Sequence, residues 1–158
     1  MNYNNELYHY GIKGMKWGVR RYQKKDGTLT KAGKKRMIEK GFDNDLDWSN
    51  RKAVNDKVMK EVNATKEGKE WNDLVKRRGI KLNNGKVTLS YLKDDWSNPE
   101  KVMNEMVKDS NIERSYHNKE NEIAKKYTEE YAGAMLRDFG LQDTEAGRKY
   151  VNKHILGN

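Results

Sequence analysis

Cysteine is absent from the 158 residues, which excludes disulfides and any zinc site built on thiolates. No run of 18 apolar residues occurs, so no segment has the length and hydropathy of a membrane-spanning helix. The first ten residues, MNYNNELYHY, lack the charged and apolar regions of a secretory signal. Action in the compartment of synthesis is therefore expected. Apolar residues are scarce, at 34% against 36% charged, which is the reverse of an ordinary globular composition. A large core is not expected; an extended helical protein, or a small core that relies on a partner, is.

Catalytic patterns are also missing. His9, His117 and His154 stand in no paired metal-ligand spacing. His117, beside Tyr116, Asn118 and Lys119, reads as a solvated surface histidine. There is no nucleophile elbow, phosphate-binding P-loop or dinucleotide fingerprint. Gly11-Ile12-Lys13-Gly14 has the form of a GxxG backbone clamp, but the flanking helix–strand units are lacking. Asp94-Asp95 and Glu129-Glu130 read as solvated faces, since paired carboxylates catalyse only where burial drives their pKa values apart. The expectation is a protein that is not an enzyme and uses no cofactor and no metal.

What is present is segregated charge. Residues 1–41 hold 11 Lys and Arg against 3 Asp and Glu, a net +8 of the chain's +9. Within them, Lys13 and Lys16 flank Trp17, and Arg20-Arg21 adjoins Tyr22. Interleaved cations and flat rings suit a phosphate backbone with stacked bases, and equally an acidic protein surface. Lys13, Lys16, Trp17, Arg20, Arg21, Tyr22, Lys34, Lys35 and Arg36 are the candidate partner-binding residues. The plain alternative is a mini-hairpin whose Trp17, Val19 and Tyr22 pack against helices, with its charges in water.

The spacing predicts a mainly α fold (α+β): a helical body, one or two small β-hairpins and a basic N-terminal arm. The division is 1–41 for the basic module and 42–158 for the body. Trp17–Gln23 reads as a strand, Lys25-Asp26-Gly27 as a turn and Thr28–Thr30 as a short return strand. Thr30 then caps a helix from Lys31 to Lys40, ended by Gly41. Ser49 caps a helix to Ala64 with a Val54, Val58, Val62 stripe. A helix over 66–78 places Trp71, Leu74 and Val75 inward and stops at Gly79. Residues 80–92 read as a hairpin around Asn84-Gly85. Asn98-Pro99-Glu100 starts a helix, which continues with a break expected near Asp109 to Asn111 and closes at Gly140. Thr144 caps a last helix carrying Tyr150, Val151 and Ile155.

The string His9-Tyr10-Gly11-Ile12-Lys13-Gly14-Met15-Lys16-Trp17-Gly18-Val19-Arg20-Arg21-Tyr22-Gln23 is followed by Asp26-Gly27-Thr28-Leu29-Thr30 and Ala32-Gly33-Lys34-Lys35-Arg36. Together they resemble a module of proteins from tailed phages and prophages of Gram-positive bacteria. Tyr131–Gly140 and Asp143–Tyr150 resemble the tails of small phage proteins carrying that module, and the resemblance does not extend to residues 42–130. The resemblance implies a phage-encoded, virion- or head-associated binding protein, placed in the virion or the host bacterial cytoplasm. Its basic module would dock to capsid, portal or scaffold protein, or to DNA or RNA, with no membrane partner. The alternative is an inhibitor of host defence, anti-CRISPR-like, that binds a host nuclease complex. An enzyme, such as a nuclease or lysis factor, is the third and least supported reading.

Overall fold

A computed structural model describes residues 17–41, 43, 46–83 and 86–157, with backbone alone for 17–19. The protein is mainly α-helical with one small antiparallel hairpin. The helices are α1 (Trp17–Tyr22), α2 (Lys31–Lys40), α3 (Ser49–Ala64), α4 (Lys66–Arg78), α5 (Pro99–Lys126), α6 (Thr128–Asp138) and α7 (Glu145–Val151), followed by a π-helical turn, Asn152–Leu156. The strands are β1 (Gly79–Lys81) and β2 (Val87–Leu89). Among the described residues no helix is long and apolar enough to cross a membrane.

The chain forms two compact units: residues 1–54 with 128–158, and residues 55–127. The sequence division after residue 41 marks a change of charge; the packing groups the described residues 17–41 with the C-terminal segment.

In the first unit, Leu29, Met37, Met135, Leu136 and Val151 form a buried cluster with Ala132, Phe139 and Leu141. The expected strand over 17–23 is instead α1, and the first hairpin reduces to one bridge, Gln23 to Leu29. The turn itself is present. Lys24 N–H donates to Thr28 O (2.8 Å) and Gly27 N–H to Lys24 O (3.0 Å). The eight residues between the helices, 23–30, hold the turn and leave length for a single bridge, so the β-branched and aromatic residues of 17–22 serve a helix that buries Tyr22 in part. Thr30 caps α2 as expected, its Oγ1 accepting from Gly33 N–H at 3.1 Å. α6 ends in a Schellman motif: Gly140 takes φ 68°, its N–H donates to Arg137 O (2.8 Å), and Leu141 N–H donates to Leu136 O (2.9 Å). Thr144 caps α7 through Gly147 N–H, at 3.0 Å.

α3 is capped differently from the expectation. Ser49 is its first helical residue, and Asp47 Oδ1 accepts the Ser49 N–H (2.9 Å). Asp138, at the end of α6, accepts from Asn50 N–H (3.0 Å) and from Asn50 Nδ2 (2.8 Å). Its second oxygen takes Arg51 Nε at 2.6 Å. Both side chains of this ion pair are fully buried. Arg51 Nη1 donates to Gly41 O (2.5 Å), and its guanidinium lies 3.7 Å from the Trp48 ring centre. A carboxylate at a helix N-terminus also meets the positive end of the helix dipole.

In the second unit, Val58, Val62, Tyr116 and Ile123 form the core, with Met59, Trp71 and Tyr127 packed against it. Leu74 and Val102 are buried as well. Thr65 caps α4, accepting from Gly68 N–H at 3.0 Å and donating to Val62 O at 2.6 Å. β1 and β2 form the antiparallel hairpin that the sequence predicts, in a register that sets Ile80 opposite Thr88; the Asn84-Gly85 turn lies outside the described residues. α5 runs unbroken through Asp109–Asn111, because Asp109 points inward to arginines rather than breaking the helix. The interruption falls instead at Tyr127, whose N–H turns back to Ala124 O (3.0 Å).

Candidate basic interface

The described residues of the basic N-terminal segment divide into those that fold it and those that face out. Gln23 is fully buried. Its Nε2 donates to Gly27 O (2.9 Å) and Gln142 O (2.7 Å), and its Oε1 accepts from Gln142 N–H (2.8 Å). One amide side chain thus clamps the 24–28 turn to the α6–α7 connection. Gly27 sits at φ 87°, and a Cβ there would lie 1.9 Å from Thr144 Oγ1. Gly33 passes Tyr22 so closely that a Cβ would lie 2.0 Å from Tyr22 O. Thr30 Oγ1 also donates to Arg21 O (2.8 Å), joining α2 to α1. Asp26 Oδ1 accepts from Thr28 N–H (2.9 Å) and Thr28 Oγ1 (2.7 Å); these bonds, the hydroxyl's first, hold its carboxyl below the usual range.

Of the nine sequence candidates, Lys13 and Lys16 lie outside the described residues. Trp17 opens α1. Arg20 is half-buried and Arg21 exposed, 5.5 Å from the Tyr22 ring centre. Arg36 lies over the opposite partners of a small stack, 4.7 Å from the Tyr22 ring centre and 5.3 Å from that of Phe139. Tyr22 and Arg36 are therefore engaged within the unit. Lys35 is exposed, 3.7 Å from Glu39, and Lys34 is half-exposed beside it.

Lys31, absent from the sequence candidates, joins Lys34, Lys35 and Ile38 around one shallow surface. The signal was the i, i+3, i+4, i+7 spacing from Lys31, which sets these side chains on the face opposite buried Gly33 and Met37. Ile38 is 55% exposed in the middle of this face. The arrangement presents positive charge around an apolar centre on a helix anchored from behind.

The second unit carries a different charged cluster. Arg78 reaches Asp94 (2.9 and 2.7 Å), Glu105 and Asp109, and lies 4.5 Å from the Tyr91 ring centre. Its Nε is 2.9 Å from Asp109 Oδ2, yet the N–H is not aimed there, so this is a charge contact rather than an aligned hydrogen bond. Arg77 adds a contact to Asp109 at 3.2 Å. Asp94 is thus an ion-pair partner, not the solvated carboxylate expected from sequence. Burial, then the hydrogen bond to Asp109, pushes the Tyr91 phenol up to about 12. Every carboxylate here faces a guanidinium, and the cluster ties the end of α4 to α5. Among the described residues no His, Asp and Glu group has the disposition of a metal site. His117 is exposed and bonded to Glu120 (3.0 Å), with Tyr116 at its edge.

A family of unknown function, DUF7211, has a model that matches residues 1–24. No curated protein and no solved structure matches the chain.

Proposed function

We propose that this is a non-enzymatic, phage-encoded binding protein that docks through the basic face of α1 and α2 onto the phosphate backbone of nucleic acid, in or around a phage head. The observation that carries the reading is the outward row Lys31, Lys34 and Lys35, fixed on a helix whose other face is buried. It lies within the quarter of the chain that holds nearly all the net charge. Contacts to phosphates need positive charge on a rigid scaffold and no base-specific groups. Tyr22, packed between Arg21 and Arg36, serves the scaffold, so backbone contact is the mode proposed rather than base stacking.

The test is a titration of labelled duplex and single-stranded DNA against the full chain at several salt concentrations. With about five phosphate contacts, log K falls against log salt with a slope of about −4 to −5. Replacing Lys31, Lys34 and Lys35 by Glu together removes binding to all sequences alike. Undetectable DNA and RNA binding at low salt refutes the reading. A second reading, docking on an acidic capsid or portal surface, is favoured by one feature: exposed Ile38 would anchor a protein partner but is wasted on a phosphate backbone. Salt-insensitive binding to purified capsid or portal protein, lost in Ile38→Asp, selects it.

A further inference from the structure

The helical stripe of α5 that includes Val102, Tyr116 and Ile123 is core. Its opposite face is open and unusual. Of the large apolar side chains that stay exposed among the described residues, all but Ile38 fall between Ile80 and Val107, in the second unit. Met103 and Val107 are each 61% exposed and Met106 is 38% exposed. Clustered apolar exposure of this kind marks an interaction surface. Met106 also borders a groove shared with Val87 and Leu89 of β2, so the helix face continues onto the hairpin.

The outward positions of α5 read Glu100, Met103, Val107, Ser110 and Arg114. Their 3-4-3-4 spacing is that of a helix seam, with Met103, Val107 and the small Ser110 inside, an acid at one end and a base at the other. Glu100 precedes Val107 by seven residues and Arg114 follows it by seven. An antiparallel pairing of two copies with the two-fold axis at Val107 sets each residue against the one equally far on the other side. Val107 then meets Val107, and Glu100 meets Arg114 at both ends. The methionines of both copies fall on the same side of the seam. A parallel pairing would instead oppose Glu100 to Glu100 and Arg114 to Arg114.

We propose that this face binds a second copy of the chain, forming an antiparallel dimer across α5. Charge complementarity favours this occupant: the ends of the seam are matched when the chain meets itself in this direction and opposed in the parallel one. A C2 interface is self-complementary by construction, and the acid–seam–base order has that property.

The test is sedimentation equilibrium of the full chain from micromolar to submillimolar concentration. The expected result is a concentration-dependent rise to the mass of two chains. Val107→Arg holds the protein at one chain's mass with unchanged circular dichroism, because position 107 is already exposed. Glu100→Arg weakens the dimer about five- to tenfold, as like charges now oppose at both ends. Glu100→Arg with Arg114→Glu restores it. One chain's mass at every concentration overturns the proposal and leaves the face to a partner of different sequence. A two-chain mass that survives Val107→Arg, or a charge exchange that fails to recover association, also overturns it.

Discussion

Removing the Asp138 carboxylate tests how the first unit is closed. Asp138→Ala leaves the Arg51 guanidinium fully buried beside Trp48 with, among the described residues, the Gly41 carbonyl as its remaining hydrogen-bond acceptor. Breaking a buried pair from one side costs about 3–5 kcal/mol, because the remaining charge is neither solvated nor matched. The same change removes the acceptor for the Asn50 and Arg51 amides, a cap worth about 1 kcal/mol. A loss of about 4–6 kcal/mol approaches the whole stability of a small domain, about 5–15 kcal/mol. The assay is urea unfolding followed by Trp48 fluorescence in a chain whose Trp17, Trp71 and Trp96 are replaced by Phe, so that the signal reports this unit alone. Arg51→Met with Asp138→Leu removes both charges and recovers most of the loss, since apolar residues of similar volume fill such sites at little cost. A loss below about 1 kcal/mol for Asp138→Ala, or no recovery in the pair, refutes the reasoning.

Three further outcomes are expected. Gln23→Ala strands the carbonyls of Gly27 and Gln142 and the Gln142 amide, lowering the stability of the first unit by about 2–4 kcal/mol in the same urea assay. Gly27→Ala destabilises by about 1–3 kcal/mol, through its positive φ and its approach to Thr144; Thr144→Ser with Gly27→Ala recovers little, because the hydroxyl is the nearest atom. Tyr91, raised from 10.0 to about 12, stays protonated in the fold while the unfolded chain ionises. The unfolded state then binds fewer protons, so stability attributable to Tyr91 is present below pH 10 and declines between pH 10 and 12. Tyrosinate absorbance during alkaline titration shows a late-ionising component to which Tyr116, also raised by burial, contributes; the share that moves back toward 10.0 in Asp109→Asn is Tyr91.

Helix starts were legible because caps act locally. Thr30, Asn98 and Thr144 each reach an amide three residues on, so a short window contains both partners. The valine stripe of α3 and the inward Leu74 followed from helical period alone. Trp17–Tyr22 was misread because strand propensity describes residues suited to a half-buried surface, and a short helix packed on α2 supplies one too. The basic face was found in part: Lys34 and Lys35 by charge, not Lys31, while Arg36 and Tyr22 turned inward to each other. Arg51–Asp138 and the Gln23 clamp were illegible because their partners are 87 and 119 residues away. No periodicity connects such positions. Asp94 and Asp109 were hidden for the same reason; their partners Arg77 and Arg78 read only as the basic end of a helix.

The 119-residue separation between Gln23 and Gln142 has a meaning for synthesis. A ribosome adds about 5–20 residues per second, so Gln23 waits roughly 6–24 s before its partner has even been made. Throughout that interval Leu29 and Met37 have no C-terminal helix to cover them. The crowd of lysines and arginines around them is then a solubilising escort, its mutual repulsion holding the nascent segment apart from itself and from its neighbours until the last helices arrive.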